Sequence, residues 1–170
     1  VELEPDFADA YLARAATYEK LDEPGKAAED YQRATVFMDK STDAFYHAAR
    51  AYYNLGKLDE AMEYVEKAIE LKRTNELAIQ LKTKILLDQD NLEEAFNTAE
   101  VALMLKSDDI SYYLHGLVNE RKGDLDNAED DYEKAIRKNK KFVDAYLSLA
   151  ELQVKTGSYE DAFENCEEVL

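Results

Sequence analysis

The sequence is poor in the residue types that interrupt helices and in those that build disulfides or metal sites. Its 170 residues include two prolines, five glycines, one cysteine, two histidines and no tryptophan. A single cysteine cannot form an internal disulfide, so cysteine usage does not indicate whether the chain resides in an oxidising or a reducing compartment. No Cys/His cluster has the spacing of a zinc site. There is also no glycine-rich phosphate loop and no apolar run long enough to cross a membrane. We therefore expect neither an enzyme active site nor a cofactor.

Positive charge is scarce as well. Lysine and arginine number 21 against 38 aspartates and glutamates, which gives a net charge of −17. Nucleic acids and anionic membranes attract clustered basic residues, so neither is an expected partner. The basic run at residues 137–141 permits two interpretations, a docking patch or the end of a helix followed by a solvated loop. Neighbouring carboxylates such as Asp130 and Asp131 are expected to be solvent-exposed in so acidic a chain.

The clearest structural signal is the amphipathic pattern of residues 44–71. Apolar and small residues recur there at spacings of three and four on both sides of Gly56, which is typical of two α-helices joined by a turn. The residues are Phe45, Ala48, Ala49 and Tyr52 before the turn, and Ala61, Val65, Ala68 and Ile69 after it. The stretch therefore predicts an antiparallel helical hairpin. A hairpin this short cannot bury both of its faces, so it needs neighbours.

The same hairpin recurs along the chain. The alanine that opens each second helix returns after 34, 34, 33 and 34 residues, as Ala27, Ala61, Ala95, Ala128 and Ala162. The small residue that faces the partner helix returns as Ala15, Ala49, Thr83, Gly116 and Ala150. A fixed period of this length, with one helical hairpin per period, is the signature of a stacked solenoid.

These positions resemble the tetratricopeptide repeat family, in five consecutive copies. The sequence departs from the family pattern at two turns, where Asp22 and Asp90 replace glycine, and the closing proline survives only as Pro5. The resemblance implies an all-α fold, a right-handed superhelical solenoid of antiparallel helix pairs, in a single array over residues 1–170. The predicted repeats are residues 8–41, 42–75, 76–108, 109–142 and 143–170, with residues 1–7 as the tail of a preceding repeat.

Three finer expectations follow from the repeat register. The third repeat is one residue short, and the loop at residues 107–109 is where we expect the missing residue. Cys166 falls on the packing face of the last helix, in register with Tyr31 and Tyr132, so we expect a buried, inert thiol. Because the chain starts without methionine in mid-repeat and stops within a predicted helix, we also expect a piece of a longer repeat protein.

The resemblance further implies that partners bind a concave wall made of the first helices. A clamp for a peptide's C-terminal carboxylate, which some members build from lysine, asparagine and arginine, is not expected here. Its matching positions hold Leu12, Ala16, His47, Leu77 and Leu81. The groove positions that we expect to contact a partner are Tyr46, Tyr53, Leu87, Tyr113 and Leu117 as apolar anchors, with Arg50 and Lys84 as central charges. The groove's acidic ends favour an apolar or aromatic ligand that is acidic near its middle and basic towards its ends.

Two functions of different classes remain open. The first is a protein–protein interaction module, a scaffold that holds a segment of another protein in its groove. The second is a structural spacer, or an array that self-associates through uncapped ends, because each repeat otherwise exposes a face made for a neighbour. The leucine and tyrosine content of the groove favours the first function.

Overall fold

The computed structural model describes the backbone of residues 5–170 and the side chains of residues 7–170. Within that range it contains ten α-helices and no strand, which confirms the all-α class. The helices are α1 (Pro5–Lys20), α2 (Pro24–Phe37), α3 (Thr42–Asn54), α4 (Leu58–Leu71), α5 (Glu76–Asp88), α6 (Leu92–Leu105), α7 (Asp109–Lys122), α8 (Leu125–Lys138), α9 (Val143–Thr156) and α10 (Tyr159–Glu167). Of the predicted tail at residues 1–7, residues 1–4 lie outside the described part, and Pro5 already begins α1.

The helices fall into two compact units, the first ending at Gln89 and the second beginning at Asp90. In the first unit, α1 pairs with α2 and α3 pairs with α4, while α5 packs on α4. In the second unit, α7 pairs with α8 and α9 pairs with α10, while α6 packs on α7 and α8 packs on α9. Short turns make each pair antiparallel, as the hairpin pattern predicts. The single array over residues 1–170 stays a prediction.

Each unit is held together by the small residues that define the repeat. Ala49 and Ala61, at the centre of the best-defined hairpin, are both fully buried. The remaining opening alanines and partner-facing residues are buried too: Ala15, Ala27, Thr83, Ala95, Gly116, Ala128, Ala150 and Ala162. Small side chains let two helix backbones approach closely, so larger neighbours can fill the space beside the contact. The repeat register therefore describes the core of both units correctly.

All five turns after the first helices use the same backbone conformation, whether or not they contain glycine. Gly56, Gly123 and Gly157 have positive φ angles of 71°, 84° and 90°. Asp22 and Asp90 occupy the same register position with φ of 56°. Aspartate tolerates this left-handed conformation better than most residues because its short polar side chain can bond locally. The loss of two glycines therefore leaves the turn geometry unchanged.

The short third repeat loses its residue in the predicted loop. Three residues, 106–108, separate α6 from α7, whereas four separate α2 from α3, α4 from α5 and α8 from α9. Asp108 caps α7 by accepting a hydrogen bond from the Ser111 backbone N–H at 2.9 Å. Burial favours the neutral form of Asp108, but its bonds to Ser111 and Lys106 outweigh burial and lower the pKa of this carboxyl.

The prediction of a buried Cys166 is wrong. Cys166 is exposed on α10, whereas the residues at the same register position in the other repeats are buried: Tyr31, Val65, Ala99 and Tyr132. Burial at this position requires a further helix packed against the second helix of the repeat. Among the helices that the structure describes, α9 is the main packing partner of α10, and the side of α10 that carries Cys166 is exposed.

Candidate functional site

The predicted binding residues of α3, Tyr46, Arg50 and Tyr53, are half-buried, whereas the residues that pack between α2 and α4 are buried. Tyr52 shows where the covered sides are. Its ring stacks on Tyr64 of α4 with centroids 5.3 Å apart, and its hydroxyl donates to Gln32 Oε1 of α2 at 2.9 Å. We call the remaining surface, together with its neighbours on α1 and α5, the first-helix face of the first unit. Its residues are Glu19, Tyr46, Arg50, Tyr53 and Lys84.

Arg50, predicted as a central charge for a ligand, is engaged within the face. Its Nη2 donates to Glu19 Oε1 at 2.9 Å and to Glu19 Oε2 at 3.1 Å. Tyr31 donates its hydroxyl to the same Glu19 Oε2 at 3.1 Å. Burial, followed by the charge of Glu19, raises the pKa of Tyr31 to about 12, so the phenol stays a donor at neutral pH. Arg50 therefore joins α3 to α1, and Glu19 neutralises much of its charge.

The other residues of the first unit divide between surface and core. Tyr53 is half-buried, and burial followed by a hydrogen bond to Asp88 raises its pKa to about 12. Lys84 is exposed. Leu87 is only 7% exposed, so the prediction that it is a surface anchor is wrong. The reason is that α5 is buried around most of its circumference, including the positions on either side of the predicted groove row.

In the second unit, Tyr113 and Leu117 of α7 occupy the register positions of Tyr46 and Arg50, and both are half-buried. The Tyr113 ring meets Phe142 edge-on with centroids 5.0 Å apart, and its hydroxyl lies 3.4 Å from Ser148 Oγ. Leu117 packs against the core cluster that contains Tyr132. Both side chains therefore combine a packing role with a partly exposed surface.

The second unit repeats the glutamate contact of the first. Tyr132 donates its hydroxyl to Glu120 Oε2 at 2.7 Å, and Lys155 of the following first helix donates to Glu120 Oε1 at 2.5 Å. Burial, followed by the bond to Glu120, raises the pKa of Tyr132. Sequence reasoning missed this contact, although Glu19 and Glu120 share one register position, as Tyr31 and Tyr132 share another. In both units this glutamate bonds to a basic residue on the first helix of the next repeat, Arg50 in the first unit and Lys155 in the second.

The expectation that Asp131 is solvent-exposed is wrong. Asp131 is 5% exposed, and its Oδ2 lies 2.6 Å from His115 Nδ1. Asn119 Nδ2 donates to the same oxygen at 2.9 Å. The adjacent Asp130 is exposed, as expected. Successive residues on a helix point about 100° apart, so two neighbouring carboxylates can face a partner helix and water respectively.

The first unit has a buried carboxylate at the same register position. Asp30 is 2% exposed and accepts hydrogen bonds from Arg14 Nε at 2.5 Å and from Arg14 Nη2 at 2.9 Å. Arg14 and His115 share a register position on the first helix of their repeats. Each bond links the two helices of one hairpin, so Asp30 and Asp131 are structural groups.

His47 is a half-buried ring without a full set of hydrogen bonds. It stacks on Tyr31 with centroids 5.3 Å apart, and its buried Nδ1 has no hydrogen-bond partner within the described part of the chain. Burial, followed by the nearby charge of Arg50, lowers the pKa of His47 from its ordinary value of 6.5. The charged imidazolium is therefore disfavoured in the folded state.

We expect the first unit to lose stability as the pH falls below about 6.5. The unfolded chain protonates His47 near this value, while the folded chain does so only at lower pH. The contribution of neutral His47 to the free energy of unfolding is thus fully present above pH 6.5. It is lost as the pH falls from 6.5 towards the lowered pKa that His47 has in the folded state. His47→Leu should reduce the dependence, since Leu81 and Leu114 fill the same register position. Urea unfolding of both proteins at pH 7.5 and 5.5 checks this, and equal pH dependence would contradict it.

No group of three or more side chains among the described residues could hold a metal ion. None of the described helices is both long and apolar enough to cross a membrane.

Comparisons with known proteins agree with this geometry. The tetratricopeptide repeat family matches residues 8–35, 42–75 and 113–170. BBSome complex member BBS4 from Bos taurus is 28% identical over 137 residues, which are 79% of this chain and 26% of that protein. Protein O-mannosyl-transferase TMTC3 from Homo sapiens is 25% identical over 176 residues, which span 100% of this chain and 19% of that protein. This chain thus corresponds to a small part of the length of each relative.

Solved structures show the same fold. MamA 41-end from Desulfovibrio magneticus RS-1 superposes with a TM-score of 0.82 at 20% identity, covering 96% of this chain and 93% of that one. The family matches fall on the predicted hairpins, and the small residues that define their register are buried where the helices of each pair meet. This chain therefore belongs to the tetratricopeptide repeat family and is a protein–protein interaction module.

Proposed function

We propose that the chain binds a segment of a partner protein on the first-helix face of its first unit. The observation that carries this proposal is that Tyr46 and Tyr53 are both half-buried and, being seven residues apart, lie on the same face of α3. Tyrosine supplies a large contact area at low entropic cost and is enriched among binding hot spots. Leu77 on α5 is 54% exposed and extends the apolar surface. Tyr113 and Leu117 have the same role on α7 of the second unit.

The charges of this face define the ligand more closely. Arg50 is neutralised by Glu19, so the exposed Lys84 is the cation that a ligand meets. The preferred segment is therefore apolar or aromatic and places a carboxylate opposite Lys84. We extend the proposal to exclude nucleic acid and anionic membranes as partners, because a chain with net charge −17 repels polyanions.

Peptides selected from a random library against the whole chain test this proposal. The selected peptides should bind at least about tenfold more weakly to Tyr53→Ala and Lys84→Glu. Lys67→Glu is the matched control for charge, because Lys67 lies on α4 and pairs with the exposed Glu70 at 2.7 Å. Fluorescence anisotropy gives the affinities, and circular dichroism checks that each variant is folded. If Lys67→Glu abolishes binding while both face variants bind normally, the first-helix face is not the site.

One observation favours the alternative of a self-associating array. Tyr159 and Phe163 on α10 are 65% and 63% exposed, and exposed apolar faces of this kind promote association. Repulsion between copies that each carry −17 charges opposes it. Sedimentation at high protein concentration and high salt distinguishes the two functions, since salt screens the repulsion. Growing oligomers, together with a failure to select any peptide, would favour the array.

A further inference from the structure

An apolar cleft lies between α9 and α10, on the side of α10 that no other described helix covers. Its volume is about 680 Å³. Four of its large side chains are substantially exposed: Leu147 at 47%, Val154 at 53%, Tyr159 at 65% and Phe163 at 63%. Ala162 and Cys166 also line it. Large apolar side chains gathered in one exposed cleft mark an interaction site.

The contact between α8 and α9 shows what kind of structure fits such a cleft. Ala128 and Tyr132 of α8 form one buried cluster with Leu149 and Leu152 of α9. The two leucines are three residues apart and so lie on one face of a helix. Ala162 and Cys166 occupy the register positions of Ala128 and Tyr132, and cysteine leaves more room than tyrosine. The cleft therefore has the form to receive a helix with large apolar side chains at positions i and i+3.

The charge around the cleft selects among such helices. Residues 159–170 hold five carboxylates and no basic residue, and all five are exposed: Glu160, Asp161, Glu164, Glu167 and Glu168. Lys155, the one cation of the lining, bonds to Glu120 at 2.5 Å. The rim is therefore strongly negative, and a basic partner meets complementary charge along α10.

We propose that this cleft docks an amphipathic helix of a partner protein that carries leucine-like side chains at positions i and i+3 and lysine or arginine along its flanks. A second copy of this chain fits less well, because each copy carries a net charge of −17. The site is separate from the first-helix face, since it uses residues of α9 and α10 alone.

Cys166 provides a direct test, because it is the only cysteine and it lines the cleft. The probe is a synthetic helical peptide of about 18 residues with a leucine face and lysine flanks, added to the whole chain. We expect saturating peptide to slow the alkylation of Cys166 by iodoacetamide about tenfold, as measured by mass spectrometry. A peptide with glutamate in place of every lysine should give no protection.

Two variants localise the effect. Phe163→Glu should weaken the protection by the lysine peptide about tenfold, relative to its own rate without peptide. Met104→Glu is the matched control, since Met104 is a 78% exposed apolar residue of the same unit outside the cleft, and it should bind like the parent. Unchanged alkylation with the lysine peptide, equal protection by the glutamate peptide, or equal loss in both variants would overturn the proposal. Protection that rises with protein concentration alone would assign the cleft to a second copy instead.

Discussion

Replacing Gly116 by valine is expected to lower the free energy of unfolding of the second unit by about 3 kcal/mol. Gly116 lies in direct contact with α8. A Cβ atom at this position would lie 2.7 Å from Cε1 and 2.8 Å from Cδ1 of Tyr132, and 3.3 Å from the Ala128 carbonyl oxygen. Tyr132 is fully buried and cannot turn its ring aside. The overlap must therefore be relieved by separating the two helices, which sacrifices contacts along the whole pair.

Gly116→Ala should show a smaller loss, because alanine also improves helix propensity by about 1 kcal/mol. Adding Tyr132→Val to Gly116→Ala reproduces the Ala49 and Val65 pair of the second repeat. We therefore expect the double variant to lose less stability than the sum of the two single changes.

Gly25→Ala is the matched control, since nothing lies within 4 Å of the added Cβ there, and it should not destabilise the chain. Urea unfolding followed by circular dichroism measures the stabilities, and hydrogen exchange of α7 and α8 locates the change. If Gly116→Val unfolds at the same urea concentration as the parent, the close approach of α7 and α8 is not as described.

Asp131→Ala is expected to cost about 3 kcal/mol, because it leaves buried donors without their acceptor. His115 and Asn119 both bond to Asp131 Oδ2, and Asn119 is only 2% exposed. Lys134 Nζ, 3.7 Å from Asp131 Oδ1, would lose a second carboxylate. Alanine at this position cannot replace any of these contacts, and Asn119 is too deeply buried to exchange its lost bond for one to bulk water.

Asp130→Ala provides the control at the neighbouring residue. Asp130 also interacts with Lys134, but 52% of its side chain is exposed, so its loss should cost less than about 1 kcal/mol. The two variants have the same composition and the same net charge. Equal stability of the two in urea would show that the buried aspartate contributes no more than a surface one.

How much of the candidate site the sequence predicts depends on how many neighbours each side chain has. Tyr46 and Tyr53 are half-buried on one face of α3, and their role as anchors for a partner stays a prediction. Leu87 follows the same helical spacing as the other predicted groove residues but is buried, because α5 is covered over most of its circumference. The role of Arg50 in binding stays a prediction, and its neutralisation by Glu19 involves a second repeat, which the helical period does not reveal.

The sequence by itself determined the helices, their turns and the core row of each hairpin. These features depend on residues that are close in sequence, and the same pattern of packing residues occurs in each of the five repeats. The burial of Ala61 and the left-handed conformation of Asp22 therefore have local causes. The tertiary structure alone decided that Asp131 is buried and that Cys166 is open. Burial at those positions is set by whether a further helix covers a given side, and a helical period records the directions of side chains but not what stands opposite them.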